Sequence, residues 1–419
     1  MADRVTVIGW DGSPLTAAAL SALRAATLVA GAAHHLALPE VPPNAERIRL
    51  GSVALAARRI ASHRGTAVVL ADGDPGFFGV VRVLRAPEFG LEVEVVPAVS
   101  AVATAFARAG MPWDDAQVVV AHSRTLRRAV NVCRAHPKVA VLTSPGAGPA
   151  ELGLLLTGVH RTFVICEALG TPQERVTVLT SDKAADYVWR DPNVVIVLGG
   201  QGAPRPTGNA ASGAGHTRLG GWLAGRPAGQ REEPRGWALP YQADRPTEPE
   251  PPGTVADGST QLRAVQLARL GPRPGDLVWD IGTGDGRLAA EVARFGAAVI
   301  AVDRNAEACG RASATAAALG VQVQVVHGGA PQVLEDLPEP DVVRVGSPSP
   351  RLLAACVDRR PERVVTHAGT RDEAEALGRV LDESGYRVEC LLLQSVDLDT
   401  ADWSERDRTV VFLLCGSRM

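Results

Sequence analysis

L-V-W-D-I-G-T-G-D-G-R-L-A-A-E-V-A-R-F-G-A-A-V-I-A-V-D, Leu277 to Asp303, decides how the second half of this chain folds. A short apolar run ends in Asp280, and Gly282, Gly284 and Gly286 follow at every second position. An apolar-periodic segment then reaches about Phe295, and a second apolar run, Ala298 to Val302, stops at Asp303. The order is strand, tight glycine turn, helix, strand. That is a nucleotide-type βαβ unit, whose backbone must approach its ligand with no Cβ in the way. Asp303, about 20 positions beyond the turn, is placed to accept hydrogen bonds from ribose hydroxyls.

Two details set this turn apart from a dinucleotide site. Asp280 stands two residues before the first glycine, and the glycines run G-x-G-x-G instead of G-x-G-x-x-G. A carboxylate there suits a ligand with a cationic amino-acid tail and would repel a pyrophosphate. Both features resemble motif I of the class I S-adenosylmethionine (SAM) methyltransferases. The resemblance implies SAM as cofactor, with Asp280, Gly282, Gly284, Gly286 and Asp303 on its side. For the turn taken alone, a nicotinamide cofactor and a structural turn stay open.

Outward from this stretch, 419 residues predict two or three domains, each able to bury a core. A formal net charge of -3 gives no footprint for nucleic acid or a membrane surface, so neither is expected as a partner. Six scattered cysteines without a C-x-x-C pair predict reduced thiols, no metal site and a cytoplasmic protein. Arg4–Ile8 reads as a strand, which leaves no room for a signal peptide, and no run is long and apolar enough to span a bilayer.

From Val5 to Val197, short β-rich runs alternate with alanine- and leucine-rich helical stretches, predicting α/β architecture with a largely parallel sheet. Eight strands are expected there: Val5–Ile8, Ala67–Leu70, Glu92–Val96, Gln117–Val120, Val139–Leu142, Phe163–Cys166, Val176–Thr180 and Val194–Leu198. Five of the loops after them are polar and marked by glycine or proline, and they fall at strand ends where α/β ligands bind. The loop Leu70-Ala-Asp-Gly-Asp-Pro-Gly-Phe-Phe-Gly79 resembles the G-D-P loop of the tetrapyrrole (corrin and porphyrin) methylases, the class III SAM methyltransferases. Val96–Val102, Ala121–Arg124 and Glu167–Val176 match later motifs of that family in order. The resemblance covers about residues 4–200 and implies two α/β subdomains with SAM folded in the cleft between them. It assigns Gly73, Asp74, Phe77, Ser100 and Ala101 to the SAM side, and Asp74 with Asp11 to the tetrapyrrole.

Gly199–Gly258 is rich in Gly, Pro, Arg and Glu and lacks apolar periodicity, so it is read as a linker, with Gln201–Gln230 disordered. The expected division is residues 1–200 as a tetrapyrrole methylase domain, 201–256 as a flexible Gly/Pro-rich linker, and 257–419 as a class I Rossmann-like methyltransferase domain. Beyond motif I, the pattern gives helices Thr260–Leu270, Glu307–Leu319 and Arg371–Ser384. Two closing strands, Arg387–Leu393 and Thr409–Cys415, are expected to pair antiparallel.

The runs around Asp280, Asp303 and Gly329–Asp341 resemble a narrower group, the decarboxylating C-terminal domain of the precorrin-6Y methyltransferases, in which the same two folds are fused in the same order. The implied activity is methylation of a precorrin, with or without cobalt, at carbons 5 and 15. Decarboxylation of the ring C acetate accompanies it, giving precorrin-8x in cobalamin biosynthesis. The resemblance also implies a homo-oligomer and places Ala330 beside the cofactor. Four positions depart from the family: Gly258–Arg263 replaces a Thr-Lys pair, Gly329 an Asp, Gly346-Ser-Pro-Ser-Pro350 a glycine-rich loop, and His367 an Asn.

Candidate catalytic residues are Asp74, with Arg263 as a carboxylate clamp and His367 as a proton shuttle. Arg287, Arg344 and His327 are further candidates for those two roles, each read beside a plain surface or structural role. His34-His35 is read as a helix-end pair without a role. Two other functions stay open at this point: a single-site tetrapyrrole methylase with a degenerate C-terminal domain, and a non-catalytic corrinoid-binding scaffold.

Overall fold

The computed structural model describes residues 4–77, 79–156, 158–199 and 260–418. The expected linker, with Trp222, Trp237 and Tyr241, lies outside them, as does Phe78 of the G-D-P loop.

Three sheets organise the described chain. The first has β1 (Arg4–Trp10), β2 (Leu28–Gly31), β3 (Glu46–Arg49), β4 (Ala67–Asp72) and β5 (Glu92–Val96), in the order β3-β2-β4-β1-β5 and all parallel. The second has β6 (Gln117–Val120), β7 (Lys138–Leu142), β8 (Arg161–Glu167), β9 (Arg175–Thr180) and β10 (Asn193–Gly199), ordered β6-β7-β10-β8-β9. Only β6 and β7 are parallel there. The expectation of one largely parallel sheet therefore holds for the first subdomain and is corrected for the second. The β8–β9 connection is short, and a short loop can only return the chain antiparallel.

β2 and β3 were not foreseen. Leu28-Val-Ala-Gly31 sits inside an alanine-rich run that reads as helix, yet it is wholly buried in the sheet. Glu46-Arg-Ile-Arg49 is a polar edge strand with no apolar signature.

The third sheet contains β11 (Leu277–Ile281), β12 (Ala298–Asp303), β13 (Gln324–His327), β14 (Val342–Val345), β15 (Arg363–Ala368), β16 (Tyr386–Leu398) and β17 (Glu405–Arg418), in the order β13-β12-β11-β14-β15-β17-β16. β16 and β17 form the antiparallel pair expected at the end of the chain, longer than its apolar cores suggested. Helices cover both faces of this sheet, so its central strands are apolar on both sides. Leu277, Trp279 and Ile281 face one core, and Val278 faces the other with Val299, Ala301 and Val342.

The helix Ala101–Ala109 packs Val102, Ala105 and Phe106 on one face of the second sheet, against Ala140, Val164 and Ile196. The helix Leu126–Ala135 covers the opposite face, against Val139, Val141 and Ile165. The outer side of this second helix docks on the third sheet. Asn131 is buried and donates to Gly275 O at 3.0 Å. Arg127 donates to Glu339 O at 2.6 Å and pairs with Asp341 at 3.0 Å, and Arg161 donates to Gln322 Oε1 at 2.6 Å. Gly275, Asp341 and Gln322 precede β11, β14 and β13, so the contact lies along the amino edge of the C-terminal sheet.

The six cysteines are free. Burial pushes Cys133 and Cys356 up to about 12, and Cys166 and Cys415 up to about 11, so these four are neutral near pH 7. Cys390 alone among the six is exposed. A charged thiol reagent near pH 7 is therefore expected to modify Cys390 first, which peptide mass mapping checks; first labelling at Cys133 would contradict the packing described here.

Candidate functional site

In the N-terminal half, the carboxyl ends of β1, β4 and β5 meet the β8 loop of the second sheet. Gly12 and Gly170 touch backbone to backbone: a Cβ on Gly12 would collide with Gly170 O, and one on Gly170 with Asp11 O. Both have positive φ, +89° and +75°, so glycine is needed there for conformation as well as for space. The Gly170 loop is itself fixed, since Gly170 N–H donates to Glu174 Oε2 at 2.9 Å and Glu174 pairs with Arg108. The Arg108 hydrogen bond is the main reason the Glu174 carboxyl sits below its usual range.

Asp11 ties the first loop to the third. Its two oxygens accept from Ser13 N–H at 3.0 Å and Val99 N–H at 3.1 Å. Partial burial works to raise its pKa, but these bonds outweigh burial and hold the carboxyl below the usual value. Asp74 is half-buried and accepts from Gly76 N–H at 2.8 Å, which closes the G-D-P turn. Gly73, φ +61°, is buried against Ser100 and the Ala101 amide, with no room for a side chain. Ser100 caps the helix Ala101–Ala109 through Ala103 N–H at 3.1 Å, and Phe77 packs beside the core under that helix. Gly73, Asp74, Phe77, Ser100 and Ala101 thus lie around one junction of loops, beside Asp11.

One group at this edge escaped the sequence reading. Asp72 Oδ1 lies 2.8 Å from His34 Nε2 and 3.1 Å from His35 Nε2, with the Trp10 ring against both imidazoles. Burial raises the Asp72 pKa, but His35 and His34 outweigh it and the carboxyl ends below its usual range. Ala32 N–H donates to His35 Nδ1 at 3.2 Å, so in the neutral ring the proton is assigned to Nε2. That tautomer offers a metal no lone pair at His35 Nε2, and the hydrogen bond to Asp72 is with His34. A histidine doublet carries no spacing signal, so only the β2 position, itself missed, would have revealed the group.

In the C-terminal half, Gly282, Gly284 and Gly286 have φ of +74°, +61° and +74°. A Cβ on Gly284 would meet nothing within 4 Å, so this is the open side of the turn, whereas one on Gly286 would strike Ala312 of the neighbouring helix. Asp303 faces the turn, accepting from Gly284 N–H at 3.0 Å and Asn305 N–H at 2.9 Å. Asp280 is 2% exposed and already engaged, accepting from Thr283 Oγ1 at 2.6 Å and from Arg344 Nη1 at 3.1 Å. Asp303 is thus held at the open side of the turn by two backbone amides. The end where Asp280 would meet the cationic tail holds a guanidinium belonging to the protein. Ala330 is half-buried beside the core residues next to β13.

Two catalytic expectations are corrected. Arg263 is 3% exposed and donates to Glu291 Oε1 at 2.8 Å. Glu291 is wholly buried on the helix that follows the glycine turn. This pair ties the helix Thr260–Leu270 to the turn and does not reach a surface where a substrate carboxylate could dock. His367 is 3% exposed and contacts Gln266 Nε2 at 3.2 Å, so it is enclosed instead of standing at the pocket mouth. Arg344, read as a surface charge or a clamp, is 3% exposed, whereas Arg287 pairs with Asp285 at 3.1 Å and His327 is exposed.

Residues 10–185 match the family described as Tetrapyrrole (Corrin/Porphyrin) Methylases, and residues 257–397 match the Precorrin methyltransferase domain. The precorrin-6Y C(5,15)-methyltransferase [decarboxylating] of a Sinorhizobium species is 32% identical over 335 residues, 77% of this chain and 69% of the relative. Its counterpart from Mycobacterium tuberculosis is 30% identical over 393 residues, 91% of this chain and 90% of the relative. The cobalt-precorrin-7 C(5)-methyltransferase of Salmonella typhimurium is 36% identical over 46% of this chain and 98% of its own length. A likeness that spans both halves in one order leaves a single assignment, and the chain belongs to the precorrin-6Y C(5,15)-methyltransferase (decarboxylating) family.

Proposed function

We propose that the chain is a bifunctional enzyme of cobalamin biosynthesis. It methylates a precorrin at carbons 5 and 15 with SAM and removes CO2 from the acetate arm on ring C. The observation that carries this reading is the joining, in one chain, of the Gly12–Gly170 loop junction and the Gly282–Gly286 turn with its ribose-side Asp303. Residues 1–200 are assigned to transfer at carbon 5, residues 257–419 to decarboxylation and transfer at carbon 15, and residues 201–256 to the linker.

SAM, when bound, supplies a methyl group on a positively charged sulfur. The protein's part is to place that methyl in line with a macrocycle carbon and to keep water away. Around Gly73 the backbone itself forms the wall, so placement there is set by rigid loops. Asp74 and Asp11 face the same junction with carboxyl groups; in this reading they orient the ring nitrogens of the tetrapyrrole. For CO2 loss, the departing carboxylate must be kept from cations, and the burial of Arg263 is consistent with that need. In the C-terminal pocket Asp303 would hold the ribose.

The proposal includes a cytoplasmic homo-oligomer. Six free thiols fit a reducing compartment. The edge strand β9 exposes Val176 and Val178 beside Tyr187 and Val188, an apolar strip of the kind a second copy covers. No described helix is long and apolar enough to cross a membrane.

The test is to count methyl groups and CO2 per precorrin-6Y consumed, for the full chain and for Asp303→Ala. Two methyls and one CO2 are expected. Asp303→Ala removes charge-assisted hydrogen bonds of roughly 1.5–3 kcal/mol and is expected to weaken SAM about 10–150-fold at the C-terminal site alone. A wild-type yield of one methyl without CO2 would support the single-site reading, and a yield of none the scaffold.

A further inference from the structure

We propose that Arg344 is a built-in competitor for the amino-acid end of the C-terminal cofactor pocket. SAM must displace it to bind there, which lowers the apparent affinity of that pocket. The inference rests on the two-site reading above and concerns its second site.

Its basis is the order of the third sheet. From β11 the chain steps to β12 and β13 on one side and then returns to β14 on the other, so the crossover reverses between β11 and β14. In an open α/β sheet, ligands bind in the crevice at that switch point, outside the carboxyl ends of the strands. Asp280 of β11 and Arg344 of β14 stand side by side in register there. Arg344 Nη1 donates to Asp280 Oδ1 at 3.1 Å and to Gly282 O at 2.9 Å. It lies against Gly346 so closely that a Cβ there would collide with it. One carboxylate and one turn carbonyl are the acceptors an ammonium group needs at this end of the pocket, and a guanidinium holds both. Asp280 accepts from Thr283 as well, and both charged side chains are at least 96% buried.

A competitor in place does not block the pocket; it lowers the apparent affinity by the fraction of time it is seated. Among the described residues the ribose end carries no such occupant, because Gly284 faces open space and Asp303 faces the turn. The competition therefore concerns only ligands that have the cationic tail.

Two measurements on the full chain test this. The first is calorimetric titration of wild type with S-adenosylhomocysteine and with 5′-methylthioadenosine, which lacks the amino-acid tail. The C-terminal class is identified as the one weakened by Asp303→Ala. At that class the two ligands are expected to bind within about threefold of each other, since displacing Arg344 offsets what the tail contributes. S-adenosylhomocysteine binding about tenfold or more tighter there would overturn the proposal, because Arg344 would then be attracting the tail's carboxylate.

The second is Arg344→Met, which keeps the length and removes the charge. It is expected to tighten S-adenosylhomocysteine at the C-terminal class by about tenfold or more, with Arg344→Lys remaining close to wild type. Unchanged or weaker binding in Arg344→Met sinks the idea, and the tail comparison on wild type stands even if that variant fails to fold. Failure of the two-site function itself reads differently: the binding classes respond as described, but no second methyl appears in the product.

Discussion

Arg263→Ala is expected to lower the melting temperature of the C-terminal domain by about 10 °C. Removing one member of a buried ion pair typically costs about 3–5 kcal/mol, and in a domain of this size each kcal/mol moves the midpoint by about 2–4 °C. The cost does not come from a lost attraction alone. Arg263 is 4% and Glu291 0% exposed at the side chain, so truncation leaves the Glu291 carboxylate deep in the protein without its arginine. The helix Thr260–Leu270 then loses its ion pair with the helix behind the glycine turn, while packing by Leu262, Leu267 and Leu270 and the Gln266–His367 and Arg269–Glu389 contacts remain. Scanning calorimetry of the full chain reads this as a downward shift of one transition, with the N-terminal transition as internal reference. Arg263→Met combined with Glu291→Leu should recover most of the loss, since an apolar pair of similar volume needs no counter-charge. A shift in Arg263→Ala equivalent to less than about 1 kcal/mol would mean that water reaches the pair, contrary to its burial.

The second large effect is on catalysis. Gly12→Val is expected to reduce methyl transfer at the N-terminal site by about 100-fold or more, while the C-terminal domain's melting transition stays where it is. The new Cβ would run into Gly170 O, and the backbone at φ +89° is one a β-branched residue avoids. The two loops must separate, and they are the seam between the first and second sheets. A misplacement of about 1 Å between reacting groups can cost a factor of about 100, even when the changed residue never touches them. Methyl incorporation from labelled SAM measures the outcome. Gly12→Val with near wild-type transfer would show that the seam is not where the reaction is aligned.

How much of this could be read from the sequence depended on whether a feature is local. The turn Gly282–Gly286, its carboxylate at Asp303 and the closing β16–β17 pair are short-range patterns, and each is found within a few residues of where it was read. The antiparallel β7-β10-β8-β9 arrangement was hidden because strand direction depends on connection geometry, which apolar runs do not encode. β2 and β3 were hidden because an alanine-rich run and a polar edge both lack the alternation that marks a strand.

The site residues divide along the same line. Gly73, Asp74, Ser100 and Ala101 lie on loops whose motifs are contiguous. Arg344 and Asp280 are 64 positions apart and become neighbours only through the β11–β14 register. For Arg263 the sequence offers a surface charge or a clamp, and for His367 a proton shuttle or a satisfied structural histidine. Nothing nearby in the sequence announces that Glu291 and Gln266 await them inside.

The docking of the helix Leu126–Ala135 has a consequence for traffic between the two reactions. It covers the amino edge of the C-terminal sheet, through Gly275, Asp341 and Gln322, whereas the second pocket opens at the opposite, carboxyl edge. The same helix lies on the face of its own sheet turned away from the helix Ala101–Ala109, which borders the first pocket. The second sheet and its docking helix therefore lie between the helix Ala101–Ala109 and the amino edge of the third sheet. A straight channel from one half to the other would have to pass through this docked face. Fusion in this chain secures equal numbers of the two workshops.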